Sequence, residues 1–200
     1  MMKTLIIGLG NPILGDDGVG WRVAEQVSAC LAKLDPGEQS EIQAKDLLVS
    51  PSQVEVTCLS VGGLRLMEHM LGFERVILID ALNTGGTPGA VYCFPLAELP
   101  NRALGHLSSS HDTTLQNALS VGRTLGVSLP DQIAIVGIEA EFVYDFNEAL
   151  SPLIARAVPQ ATRLVLRLLS ASSDAAHWPD SQDRNLPVFR DRTSHQPMKE

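Results

Sequence analysis

The sequence is poor in aromatic residues. They make up 4% of its 200 residues, whereas hydrophobic residues make up 44%. A core must therefore be built mainly from Val, Ile, Leu and Ala, which is typical of sheet strands covered on both faces by helices. A chain of this length fits one domain with a single core better than two small domains.

Cysteine pairs are also missing. Cys30, Cys58 and Cys93 are odd in number, widely spaced and without a CxxC pair. This pattern argues against a disulfide framework, a redox motif and a structural zinc site. We expect three buried thiols.

Basic residues are outnumbered, with 15 Lys and Arg against 23 Asp and Glu, a net charge of −8. The resulting field repels phosphate backbones and anionic membranes, so we expect neither nucleic acid nor a membrane as partner. No apolar run reaches the roughly 18 to 20 residues of a membrane span, and the first run is too short for a signal peptide. We expect a soluble cytoplasmic protein and favour a monomer.

Apolar runs and helical patterns alternate along residues 1–171. The run from Leu5 to Leu9 ends at a Gly-Asn-Pro turn, which is typical of a buried strand. Further strands are predicted at 54–59, 75–79, 90–94 and 132–138, and helices after Asp17, at 64–70, after His111 and from Ser151 onward. The order predicts one α/β domain with a three-layer, doubly wound, mostly parallel sheet and helices on both faces.

Two polar stretches interrupt or follow this pattern. Residues 35–53 lack a sustained period and are predicted to form a loop or surface insertion without an assigned role. Residues 172–200 are rich in Ser, Asp, Pro, Arg and Gln. We expect them to form a polar, flexible tail that adds nothing to the core.

Three residues are placed where an open α/β sheet binds ligands, beyond the carboxyl ends of its strands. Asp17 lies in the loop after the first strand, Asp80 ends the strand 76–79, and His111 opens a helix. Two carboxylates and one imidazole form a ligand set that suits nickel, zinc or iron and leaves coordination positions open. The positive end of the helix would keep His111 neutral and able to donate its lone pair.

Each candidate also has a plain structural explanation. Asp17 could be a helix cap, although Asp16 beside it is the better cap. Asp80 is harder to explain in this way, because a carboxylate after four apolar strand residues is costly to bury without a partner. Glu139 and Glu141 follow another strand and could line the same cleft, but we favour solvated loop carboxylates.

The segment from Gly8 to Gly20, GLGNPILGDDGVG, resembles the N-terminal signature of the nickel-iron hydrogenase maturation endopeptidases, G-x-G-N followed by an acidic pair and x-x-G. The segments VILIDA at 76–81 and SHD at 110–112 resemble the family's second acidic segment and its histidine segment. The resemblance implies that Asp17, Asp80 and His111 are the metal-coordinating and catalytic residues.

The same resemblance implies a function. The protein would be an aspartyl-type endopeptidase, a hydrolase that removes the C-terminal extension of a [NiFe] hydrogenase large-subunit precursor after nickel insertion. The nickel would be supplied by the precursor and would serve for recognition. Residues 60–64, SVGGL, replace the Asp-Gly-Gly-Thr of many members and resemble the branch that serves bidirectional or soluble NAD(P)-linked hydrogenases. No Ser-His-Asp or Cys-His nucleophile is visible, so we expect no acyl-enzyme.

Two alternatives come from other classes. A peptidyl-tRNA hydrolase-like esterase also begins with a strand and GLGNP, but it needs a histidine soon after that turn, and none precedes His69. A non-enzymatic nucleotide-binding domain would use the Gly8–Gly10 loop for phosphate. That loop lacks the third glycine of the dinucleotide fingerprint, and Asp16 and Asp17 would repel a pyrophosphate.

Overall fold

A computed structural model describes residues 2–33, 51–99, 114–141, 146–170, 178–179 and 185. Predicted residue His111 and residues 35–50 of the polar insertion lie outside this part of the chain. The strands are β1 Thr4–Leu9, β2 Val54–Leu59, β3 Arg75–Leu82, β4 Val91–Pro95 and β5 Gln132–Glu139. The α-helices are α1 Val19–Ala32, α2 Gly63–His69, α3 Leu115–Thr124 and α4 Pro152–Ser170, and a 3-10 helix, Gly15–Gly18, precedes α1.

The strands form one sheet in the order β2-β1-β3-β5-β4. Neighbouring strands are parallel, except that β4 runs antiparallel to β5 at one edge. The chain moves from β1 outward to β2 and then crosses to β3 on the other side of β1. The connection direction therefore reverses between β1 and β3, which makes this crevice the switch point of the sheet.

Helices cover both faces of the sheet. Alternate residues of a strand point to opposite faces, so Ile77 and Ile79 of β3 join a core cluster with α1 and α4. Val76 and Leu78 of the same strand join a second cluster with α2 and α3. The predicted three-layer, doubly wound α/β fold is confirmed.

Strand β3 is longer than predicted. The sequence indicates an end at Asp80, whereas the strand continues to Leu82. Its pairing with β1 stops at Gly8–Ile79, but its pairing with β5 continues to Leu82–Glu139. Hydrogen bonds to β5 thus keep the backbone extended beyond the point where the apolar run ends.

The polar C-terminal region contributes to the core at Trp178. This side chain is 4% exposed, belongs to the cluster around α4, and its indole Nε1 donates to the Leu168 carbonyl at 3.4 Å. The Arg75 guanidinium lies 4.5 Å from the centre of the ring. Asn185 forms an isolated antiparallel bridge with Cys93 of β4. The expectation that this region adds nothing to the core is wrong at Trp178, because the buried Arg75 provides a partner that local composition does not reveal.

The cysteines differ in burial. Cys93 is buried as expected, whereas Cys30 and Cys58 are only partly buried, so the prediction of three buried thiols is correct for one of them. Burial raises the pKa of the Cys58 thiol, and the nearby Glu25 adds to the effect. In the part of the chain that the structure describes, no helix has the length and apolarity needed to cross a membrane.

Candidate active site

The turn after β1 is held in place by close backbone contacts. Gly10 has a φ of 126°, and a side chain there would collide with the Asp17 carbonyl. Gly20 packs against the backbone of both Leu9 and Ile79, with no room for a Cβ atom. The absence of these side chains lets the 3-10 helix and the first turn of α1 sit on the carboxyl ends of β1 and β3.

Asp17 lies on this 3-10 helix and is 8% exposed. Its Oδ2 accepts a hydrogen bond from the backbone amide of Asn11 at 2.7 Å, which orients the carboxylate within the β1 turn. The N-cap of α1 is Gly18, and no side chain caps this helix. Asp17 is therefore not a helix cap.

Asp16 is not a cap either, which corrects the sequence-based interpretation. Its carboxylate is fully buried and accepts hydrogen bonds from the backbone amides of Glu141 at 3.2 Å and Ser151 at 2.7 Å. These donors flank the connection between β5 and α4. Asp16 thus ties the 3-10 helix to a segment far away in the sequence.

Asp80 is fully buried in β3. Its Oδ1 accepts from the backbone amide of Ala81 at 2.9 Å. It follows the last residue of β3 that pairs with β1, and its own partner is Gly137 of β5. Asp80 therefore lies where β3 separates from β1, at the switch point that also carries the Asp17 turn.

The third predicted ligand, His111, lies outside the described residues. Within those residues, no three His, Cys, Asp or Glu side chains form a group able to hold a metal ion. The structure thus places Asp17 and Asp80 at the carboxyl ends of the neighbouring strands β1 and β3. The complete predicted ligand set stays a prediction.

Glu139 has a role that the sequence does not indicate. It is 1% exposed, so the interpretation as a solvated loop carboxylate is wrong, whereas Glu141 is exposed as expected. Its Oε1 accepts from the backbone amides of Thr84 at 2.8 Å, Gly85 at 2.8 Å and Gly86 at 3.0 Å, and its Oε2 accepts from the Thr84 hydroxyl at 2.7 Å. Glu139 therefore anchors the connection that follows β3.

Tyr92 of β4 lies next to this connection, with its hydroxyl close to Gly86. Burial raises the pKa of Tyr92, and the negative charge of Glu139 raises it further. A Cβ atom at Gly86 would lie 2.8 Å from the Tyr92 hydroxyl and 3.3 Å from the Glu139 carboxylate. Gly86 thus allows the loop to close over both groups.

Two other segments meet the β1 turn. The Ser60 hydroxyl, at the end of β2, donates to the Gly10 carbonyl at 2.6 Å. Leu14 forms an isolated parallel bridge with Asn147, in which Gly15 donates to the Asn147 carbonyl at 2.6 Å and Asn147 donates to the Ile13 carbonyl at 3.1 Å. The connections after β1, β2 and β5 therefore converge around Asp17.

Comparison with known proteins identifies the family of this chain. A family model described as hydrogenase maturation protease matches residues 39–168. The chain belongs to the hydrogenase maturation protease family. Membership of this family makes the chain an endopeptidase that acts in hydrogenase maturation. The esterase and nucleotide-binding alternatives are therefore discarded. The matched range contains Asp80 and His111, and Asp17 precedes it.

Relatives of the family cover most of the chain. The hydrogenase expression/formation protein HupD of Rhodobacter capsulatus is 23% identical over 169 residues, which are 84% of this chain and 72% of the relative. The hydrogenase 2 maturation protease of Escherichia coli K12 is 24% identical over 172 residues, 86% of this chain and 93% of that protein. The solved structure of the hydrogenase maturating endopeptidase HybD from E. coli has the same fold, with a TM-score of 0.61, 22% identity, and coverage of 84% and 92%.

Proposed function

We propose that this maturation protease removes the C-terminal extension of a [NiFe] hydrogenase large-subunit precursor after nickel insertion, and that it recognises the nickel held by that precursor. The observation that supports this most directly is the placement of Asp17 and Asp80 at one crevice, between β1 and β3. Ligands of open α/β folds bind at this position.

Both carboxylates suit the recognition of a metal presented by another protein. The Asn11 amide donates a hydrogen bond to Asp17 and the Ala81 amide donates one to Asp80, and these bonds orient the two carboxylates. Carboxylates that bind metals are commonly oriented by such hydrogen bonds. With the imidazole of His111 they would form a donor set appropriate to nickel, and the precursor would bring the ion as part of the substrate.

The same carboxylates would provide the chemistry of an aspartyl-type endopeptidase. One of them takes a proton from water as the water oxygen bonds to the scissile carbonyl carbon. The proton then passes to the leaving amine as the carbon–nitrogen bond breaks, so that the products are the trimmed large subunit and the free extension. This route forms no acyl-enzyme.

The test uses a nickel-loaded large-subunit precursor and follows its mass after incubation with the protease. We expect Asp17→Asn, Asp80→Asn and His111→Ala to remain folded and to leave the extension uncut. Glu141→Gln is the matched control, because the exposed Glu141 side chain also lies beyond the carboxyl end of a strand, β5. Normal trimming by one of the three variants would show that the substituted residue is not needed for cleavage and would contradict its assigned role.

A second comparison tests the role of nickel. The wild-type protein should trim the nickel-loaded precursor and leave a precursor prepared without nickel intact. Equal trimming of both would reject nickel recognition while leaving the proteolytic function in place. The cytoplasmic location and the monomeric state stay predictions, which fractionation and sedimentation of the full chain would check.

A further inference from the structure

Two buried carboxylates at the carboxyl ends of the strands are not part of the proposed ligand set. Asp16 and Glu139 are both almost completely excluded from solvent. Burial of an ionised carboxylate is costly unless hydrogen bonds compensate for the lost water. Both side chains meet this requirement mainly with backbone amides, and every one of those amides belongs to a connection that leaves the carboxyl end of a strand.

The hydrogen bonds of Asp16 and Glu139 connect the turn that carries Asp17 with the connection that follows Asp80. Asp16 directly precedes Asp17 and holds the amide of Glu141, which lies two residues beyond Glu139. Glu139 in turn holds residues 84–86, which follow Asp80 by only a few positions. Between them, the Ala140 amide donates to the Leu82 carbonyl at 2.7 Å. A continuous path therefore runs from the Asp17 turn, through the end of β5, to the connection after Asp80.

We infer that Asp16 and Glu139 are positioning residues of the proteolytic site, which fix the Asp17 turn and the connection after Asp80 relative to each other. The inference rests on the proposed function of Asp17 and Asp80. Neither Asp16 nor Glu139 binds metal or substrate. Each acts through backbone amides, as groups around metal ligands commonly do.

The geometry of the two carboxylates predicts opposite responses to amide substitution. A glutamine at position 139 can still accept the bonds of residues 84–86 with its oxygen, and its NH₂ group can donate to the Thr84 hydroxyl after that hydroxyl rotates. An asparagine at position 16 cannot replace the aspartate, because each oxygen of Asp16 accepts from a different amide. Its NH₂ group would face a backbone N–H donor.

The kinetic test measures kcat and KM for trimming of the nickel-loaded precursor, per folded molecule, well below the melting temperature of each variant. We expect Asp16→Asn and Glu139→Ala to lower kcat about 10- to 100-fold, and Glu139→Gln to restore it close to wild type. Equal loss in Glu139→Gln and Glu139→Ala would show that the charge of Glu139 acts directly and overturn the inference. Wild-type kcat in both Asp16→Asn and Glu139→Ala would reduce the two residues to a purely structural role and overturn it as well.

A spectroscopic test needs no precursor and therefore separates this inference from the proposed function. The Asn11 amide donates to Asp17, so its NMR resonance reports the orientation of that carboxylate. We expect the resonance to shift in Asp16→Asn and Glu139→Ala, but not in Glu139→Gln. Failure of the wild-type protein to trim any precursor would reject the proposed function alone. An unchanged Asn11 resonance in Glu139→Ala would reject the positioning path, even if Asp16→Asn does not fold.

Discussion

Gly20 of α1 packs directly on Ile79 of β3: a Cβ atom at position 20 would lie 2.5 Å from the Ile79 carbonyl oxygen. Ile79 immediately precedes Asp80, and Gly20 lies three residues after Asp17. The contact between these two residues therefore sets how closely the Asp17 turn approaches the strand that carries Asp80.

Replacement of Gly20 by alanine should disturb both stability and activity. The added methyl group meets backbone atoms of Leu9 and Ile79, which cannot move aside as a flexible side chain would. We expect a loss of about 1–3 kcal/mol in the free energy of unfolding, measured by urea denaturation, together with slower trimming. Ser28→Ala, at an exposed position of the same helix, is the control and should leave both unchanged. Wild-type stability in Gly20→Ala would contradict the close packing.

Trp178 should stabilise the whole domain. Its ring covers the buried Arg75 and packs in the cluster around α4, so Trp178→Ala removes a large apolar contact and exposes a charged group. The expected loss is about 3–5 kcal/mol in the free energy of unfolding. Phe146→Ala provides the matched aromatic control, because Phe146 is 86% exposed and its loss should have little effect. Similar stability of the two variants would show that residue 178 does not cover the core in solution.

Tyr92 should titrate above the ordinary tyrosine pKa of about 10. Burial, and then Glu139, raise the pKa of Tyr92 in the folded state. Because the folded pKa is raised, the associated stability is fully present below the unfolded pKa and is lost as pH rises through the folded pKa. We therefore expect the melting temperature to fall as the solution is made more alkaline than about pH 10.

The measurement for Tyr92 is the ultraviolet absorbance of tyrosinate, recorded in a Tyr144→Phe background so that one tyrosine titrates. Glu139→Gln should lower the pKa of Tyr92 only in part, since burial is the larger cause. An ordinary pKa in the folded protein would contradict the contact between Tyr92 and the Glu139 loop.

Ser60 should stabilise the β1 turn through one hydrogen bond. Its hydroxyl donates to the Gly10 carbonyl, and Ser60→Ala removes this bond without adding bulk. We expect a loss of about 0.5–1.5 kcal/mol in the free energy of unfolding by urea denaturation. Ser120→Ala, at an exposed position of α3, serves as the control. A loss no greater than that of the control would show that the bond is absent or replaced by water.

The local pattern of the sequence is sufficient to predict most of the fold. The apolar run at 5–9 predicts β1 within one residue, and the periodicity from Ser151 onward predicts α4. Strand–helix alternation predicts the doubly wound sheet, and the order of its elements predicts that Asp17 and Asp80 lie at the carboxyl ends of two strands of this sheet. The strands and helices depend on the spacing of apolar residues along the chain, and this spacing can be read from the sequence.

Other features were decided only by the tertiary structure. Asp16 resembles a helix cap locally, but its partners lie 125 and 135 residues away, at Glu141 and Ser151. Glu139 resembles a solvated loop residue until the connection after β3 folds over it, and Trp178 lies in a polar region until Arg75 provides its partner. In each case the side chain is buried by a segment that is distant in the sequence, and no local pattern can specify which distant segment that is.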